Sequence, residues 1–366
     1  MGAAKKFCVF CGQEPESKNR EHVIPSWLIR RTGNPSRNVT LVKDWARPDN
    51  TRKFAFDAYT FPACTKCNEG FSSLEHRVQP IVDAILALDA VSAEEWSIFL
   101  DWLDKVRVGI WLGMMYLHEN PFGINPEFHI QRRVGESDRF VIIYRLEDDG
   151  YQGLGWQATN TPVFECMPSC FTLAINNFLF FNASTQFLFS ERFGFPYLVR
   201  RTKLPKGGLS VTIAGGTGRM KVPLVKRKFP TGGRDLWQPM IPWKSLAAAD
   251  AESCSDLYDN EFVRSACMGF EEGRGKVFIK ERGALTAYPA ARTTDWVPSR
   301  ALPRRPAWYK SGLAAARFQE ELYVRFAPLD ALDREERQRI EVQMNQVLTI
   351  HQTLTALHVS QKDLYY

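Results

Sequence analysis

Two Cys-x-x-Cys pairs bracket the start of the chain, Cys8-Val9-Phe10-Cys11 and Cys64-Thr65-Lys66-Cys67, with 52 residues between them. Four thiolates at this spacing suit a tetrahedral Zn²⁺ site, each pair presenting two sulfurs about 2.3 Å from the ion. Four protein ligands leave no open position, so such a zinc is structural, and its binding energy acts as folding energy. Between the pairs lies Glu21-His22-Val23-Ile24-Pro25, and Asn68 directly follows the second pair. Hydrolysis of a phosphodiester needs a base to activate water, a cation to stabilise charge on the phosphate, and groups to hold that cation. Histidine is the side chain best suited to be the base near neutral pH. Glu21 and Asn68 offer hard oxygen ligands of the kind Mg²⁺ or Mn²⁺ takes, and such ions need few protein ligands because they keep waters and phosphate oxygens. On a strand, Glu21 and His22 point to opposite sides, so one of them is expected at a strand end or bulge.

This pattern resembles the HNH (ββα-metal) endonuclease superfamily, most closely bacterial members with the same cysteine, Glu-His-Val-Ile-Pro and Cys-x-x-Cys-Asn motifs, and the phage junction-resolving endonucleases with a similar zinc frame. The resemblance covers residues 6–80. It implies a zinc-stapled, treble-clef-like ββα domain in which Cys8, Cys11, Cys64 and Cys67 hold structural Zn²⁺. It makes His22 the general base, and Glu21 and Asn68 the ligands of a catalytic Mg²⁺ or Mn²⁺. It implies nucleic acid as substrate, DNA rather than RNA, and suggests a bacterial defence or restriction effector. Many relatives carry Asp where this chain has Glu21, one methylene longer. The middle Asn of the motif falls on Asn38 or Asn50. The rival expectation is a zinc-stapled nucleic-acid-binding or adaptor protein that does not cut.

Glu75 and His76 follow Asn68 by about two helical turns. Either could face a metal, or both could serve the helix surface. His118, His129, His351 and His358 have no partner motif and read as surface or helix-end residues. Cys166, Cys170, Cys254 and Cys267 read as buried thiols.

The elements that must position these residues follow from periodicity. Residues 68–88 repeat apolar positions at helical spacing, with Pro80 expected at a first turn or kink. A second helix starts at the cap Ser92 and runs to about 120. Residues 128–235 read as strands, with Ser210–Ile213 and Met220–Val225 as a hairpin around a glycine-rich turn. A short acidic helix is expected at 246–267. Residues 289–311, rich in proline with Arg300, Arg304 and Arg305, read as an extended linker. A last helix covers about 333–357. The expected class is therefore α+β, with a nuclease domain at 1–90 and a larger α+β domain at 91–366.

The 366 residues are 45% hydrophobic and 24% charged, and this argues against general disorder. Net charge is +6. Residues 1–80 carry thirteen Lys or Arg against eight Asp or Glu, so the basic excess sits with the candidate site and favours a polyanionic partner. Arg20, Arg30 and Lys66 are candidates to hold its backbone. A second basic stretch, 192–234, has eleven Lys or Arg and no acid. It contains Arg200, Arg201, Lys203, Arg219, Lys221, Lys226, Arg227 and Lys228, which track a phosphate backbone or form a solvated hairpin face. No apolar run spans a membrane and no secretory signal opens the chain, so a soluble, cytoplasmic protein is expected. A homo-oligomer or a regulatory partner is a further expectation.

Overall fold

The computed structural model describes residues 7–16, 19–42, 51–118, 138–185, 197–203, 209–214, 229–238, 267–268, 274–281, 284–326 and 334–360. Some residues within these ranges are described by backbone alone. The fold is mixed α and β. In the N-terminal region a short strand β1 (Arg20–His22) leads to helix α1 (Ser26–Arg31), the hairpin β2 (Asn38–Val42) and β3 (Thr51–Ala55), a 3₁₀ turn at Phe56–Ala58, and β4 (Thr60–Pro62). Strand β4 returns antiparallel to β1, with Glu21 opposite Phe61 and His22 opposite Thr60. Helix α2 (Thr65–Leu86) follows at once, starting three residues before Asn68. Pro80 lies inside α2 rather than in its first turn, on the exposed side.

Helix α3 (Ala93–Leu117) begins with a capping box. Glu95 N donates to Ser92 Oγ, and Ser92 N donates to the Glu95 carboxylate. Almost every α3 side chain from Trp96 to Met115 is buried, the mark of a helix at the centre of a protein rather than on its surface. One side of α3 meets α2 and the N-terminal strands; Gly113 lets it approach so closely that a Cβ there would sit 2.1 Å from Tyr59 Oη.

The other side packs on an eight-stranded sheet. Its strands are β5 (Asp138–Leu146), β6 (Leu154–Gln157), β7 (Cys170–Ile175), β8 (Phe178–Thr185), β11 (Arg234–Gln238), β14 (Phe278–Glu281), β15 (Ala284–Ala287) and β16 (Ala301–Leu302). The order is β15-β14-β11-β5-β8-β7-β6, with β16 parallel to β5. The alternation of a strand covered on both faces is plain in β5. Val141 and Ile143 join the core around α3, while Phe140, Ile142 and Tyr144 join a second core with Ala314, Ala315, Phe318 and Leu322. Those last residues lie on α5 (Arg304–Phe326), after the short α4 (Pro162–Cys166). The sheet is thus sandwiched between α3 and α5. The final helix, α6 (Arg334–Ser360), docks on α4 and α5.

Two expectations change, and two fall wholly or partly outside the described residues. Residues 289–303 are not a free linker: Val91 bridges Thr293, Trp296 is fully buried, and α5 begins at Arg304. Strand β10 (Leu209–Ala214) pairs with β9 (Tyr197–Lys203), while 220–225 lies outside the described residues. The expected helix at 246–267 also lies outside them, apart from Cys267 at the start of a two-residue strand, β12 (Cys267–Met268), paired with β13 (Arg274–Gly275). His118 is a helix-end residue, as expected, at the C-terminus of α3, whereas His351 is buried within α6 rather than at the surface or a helix end. The His118 Nδ1 is hydrogen-bonded to Glu165 Oε1, with both side chains nearly fully buried, and His351 donates from Nε2 to the Ala316 carbonyl at 3.0 Å.

A charged layer joins α3 to the sheet. Arg139 on β5 binds Asp101 at 2.6 Å and Asp104 at 3.1 Å, and Arg107 binds Asp104 at 2.6 Å. Gln238, Asn182 and Ser97 complete the network. All of these groups are buried, and each buried charge has an opposite partner, as burial demands.

Candidate metal centre and active site

The first cysteine pair sits on a turn closed by Gly12 N to Cys8 O at 2.8 Å and Cys8 N to Gln13 O at 2.7 Å. Gly12 takes φ 76°, a left-handed conformation that favours glycine. Val9 N donates to Pro62 O at 3.0 Å, which pins the turn to β4. The second pair begins at Cys64, the residue before α2, and Cys67 lies in the helix's first turn. The four sulfurs all lie within 4.8 Å of one another. A tetrahedron with sulfurs about 2.3 Å from zinc has edges of about 3.8 Å. The observed Cys8–Cys64 and Cys11–Cys64 separations, 3.6 and 3.9 Å, bracket that edge. The backbone N–H of Cys64 also donates to Cys8 Sγ at 3.3 Å. Burial and the crowding of the other thiols push the Cys67 thiol up, a repulsion that a bound dication reverses. The donor set therefore fits a metal ion such as zinc. Among the described residues it is the one cluster of three or more His, Cys, Asp or Glu ligands.

Strand β1 carries Glu21 and His22 to opposite sides, as its alternation requires. His22 Nε2 lies 3.1 Å from the carbonyl of Asp57 in the 3₁₀ turn. A carbonyl only accepts, so Nε2 carries the hydrogen, and in the neutral ring Nδ1 keeps its lone pair. Glu21 instead faces α2 and α3. Lys105 Nζ lies 2.5 Å from its Oε1 and also bonds Oε1 of Glu75. Burial pushes the Glu21 carboxyl up from the ordinary carboxylate range; Lys105 pulls it back and Glu75 adds to the rise. Asn68 is half-buried in the first turn of α2, its backbone N–H bonded to Cys64 O at 3.0 Å. Among the described residues no hydrogen bond joins it to Glu21 or His22. Glu75 thus meets Glu21 through Lys105, whereas His76 is exposed and bonds its own helix at Ser72 O, 2.7 Å away.

The basic candidates divide. Arg20 is exposed and holds Thr60 through Oγ1 at 2.6 Å and O at 3.2 Å. Arg30 and Lys66 are exposed on α1 and α2. Arg200, Arg201 and Lys203 lie on β9, described by backbone alone. Arg219, Lys221, Lys226, Arg227 and Lys228 lie outside the described residues, as does Asn50, whereas Asn38 opens β2 opposite Ala55.

Lys105 is the residue that sequence reasoning missed. Its charge sits among apolar positions of α3, but its partners are 84 and 30 residues away, so no local spacing reveals it. Among the described residues no helix is long and apolar enough to cross a membrane. No family model, curated protein or solved structure matches the chain.

Proposed function

We propose that the chain is a metal-dependent endonuclease of the HNH type, acting on nucleic-acid phosphodiesters, with DNA as the preferred substrate. The observation that carries this reading is His22. It stands at the end of β1 with Nε2 fixed on the Asp57 carbonyl, in a ββα unit whose two ends meet at the four-cysteine cluster. A base held by one ring nitrogen has the other available for a water proton. As water oxygen bonds to phosphorus, the bond from phosphorus to the 3′ oxygen breaks. The water's proton passes to His22 Nδ1, and the departing oxygen takes a proton from solvent. Glu21 and Asn68 are the residues that would hold Mg²⁺ or Mn²⁺; both offer hard oxygen donors, and Lys105 engages only Oε1 of Glu21. Such an ion supplies charge stabilisation at the phosphate. Zn²⁺ at the four cysteines keeps the frame in register. Exposed Arg20, Arg30 and Lys66 supply attraction for the phosphate backbone.

A second reading, a zinc-stapled binder that does not cut, draws on the ion pair that already occupies Glu21. One experiment separates them. Purified protein is incubated with plasmid and with RNA in Mg²⁺ or Mn²⁺, beside His22→Ala. Nicking by the native chain, reduced about 10²- to 10⁴-fold in His22→Ala with zinc retained, supports the enzyme. Binding without cleavage under either metal supports the binder.

A further inference from the structure

We propose that Lys105 is a positioning residue of this nuclease centre, holding the Glu21 carboxylate for the divalent cation; the inference rests on the reading above. Its Nζ lies 2.5 Å from Glu21 Oε1, bonds Glu75 Oε1, and stands 5.9 Å from the centre of the Phe10 ring. Phe10 lies between Cys8 and Cys11 and stacks on Phe71 of α2 at 4.3 Å. One ammonium therefore touches the cysteine turn, β1 and α2 at once, from a helix outside the motif-bearing region. Its side chain is 2% exposed, against 13% and 18% for Glu21 and Glu75.

Stability alone does not account for it. Bringing an ammonium out of water is costly, and an apolar side chain of similar volume often serves a packed helix as well or better. What an ammonium adds is direction. It fixes one carboxylate oxygen by a charge-assisted bond and so restricts the rotamer of Glu21, leaving Oε2 for another cation. Carboxylates that ligate metals are in turn held by such hydrogen bonds, whose loss typically lowers metal affinity or activity by about 10- to 100-fold. Glu75 shares the ammonium and keeps it from swinging away. The larger C-terminal part of the chain is thereby part of the active centre: α3 brings the group that sets Glu21.

The test uses the full-length protein with Lys105→Met and Lys105→Arg. Zinc content and the unfolding midpoint report the frame. Mn²⁺ binding by calorimetry and by the resonance signal of free Mn²⁺ reports the site without relying on cleavage, and the Mn²⁺ concentration for half-maximal nicking is read alongside. Lys105→Met, with zinc retained, is expected to weaken Mn²⁺ binding about 10- to 100-fold, with most of the loss recovered in Lys105→Arg. If Lys105→Met loses its fold, Lys105→Gln, neutral but still a donor, carries the same criterion. Mn²⁺ binding as tight as in the native chain, or tighter, overturns the assignment and makes the ammonium a staple or a competitor of the metal. Absence of Mn²⁺ binding and of cleavage in the native chain overturns the nuclease reading and this one with it. Native binding that Lys105→Met leaves intact overturns this one alone.

Discussion

The four-cysteine cluster is placed to hold a metal ion, and the effect of removing such an ion has a size that follows from chain geometry. The two cysteine pairs join segments 53 residues apart. Fixing a cross-link across a loop of that length removes about 4 kcal/mol of chain entropy from the unfolded ensemble at 25 °C, by the relation used for covalent cross-links. Cys64 is the most informative position, because it is buried, lies within 3.9 Å of both Cys8 and Cys11 sulfurs, and stands immediately before α2. Cys64→Ser, or a strong chelator on the native chain, is expected to lower the unfolding free energy by about 4 kcal/mol, measured by urea titration with zinc followed by mass spectrometry. The native chain is expected to hold about one zinc. Protein that is folded, zinc-free and unchanged in its urea midpoint would refute the reasoning. So would zinc loss that moves the midpoint without any change on α2, as seen by hydrogen exchange over residues 65–86.

Three further outcomes are expected. Arg139→Met leaves Asp101 and the buried Asp104 short of a partner, and a loss of about 3–5 kcal/mol should appear in denaturant titration. Gly113→Ala drives a methyl into Tyr59 and Phe61, so a loss of about 1–3 kcal/mol is expected, together with near-UV circular dichroism changes from the tyrosine. Burial lowers the basicity of His351. Between its lowered pKa and the ordinary histidine value of about 6.5, the unfolded chain binds more protons than the folded one, so stability rises with pH there and falls on acidification. The acid limb of a stability–pH curve should flatten in His351→Gln.

What the sequence makes legible is what local spacing encodes. Cys-x-x-Cys pairs announce their sulfurs because one turn must deliver both, and the capping box at Ser92 and Glu95 marks the start of α3 to the residue. The alternation of Glu21 and His22 likewise foretells their separation. Long-range partners are not encoded locally. Lys105, Asp101, Asp104 and Arg107 are spaced among the apolar positions of α3, and each is buried against groups from distant strands or helices. Helix α5 is hidden by its own start: Pro303, Arg304, Arg305 and Pro306 resemble a linker, although proline is tolerated in a first helical turn, where its missing N–H has no intrahelical partner to lose. The sheet order, with β11 between β14 and β5, depends on pairing across about a hundred residues, beyond any periodicity.

The clasp at the corner between α2 and α3 bears on the timing of synthesis. Tyr288 donates to the Val91 carbonyl, Arg292 grips Glu95, Thr293 bridges Val91, and Trp296 reaches the Asp89 carbonyl and the Trp96 ring. These partners are about 200 residues apart. A ribosome that has delivered both cysteine pairs, Glu21, His22 and Lys105 has still to make the residues that fasten the root of α3. Contacts of such sequence separation form slowly and wait on the synthesis of both partners, so the root of α3, the helix that carries Lys105, is fastened only after residues 288–296 are made.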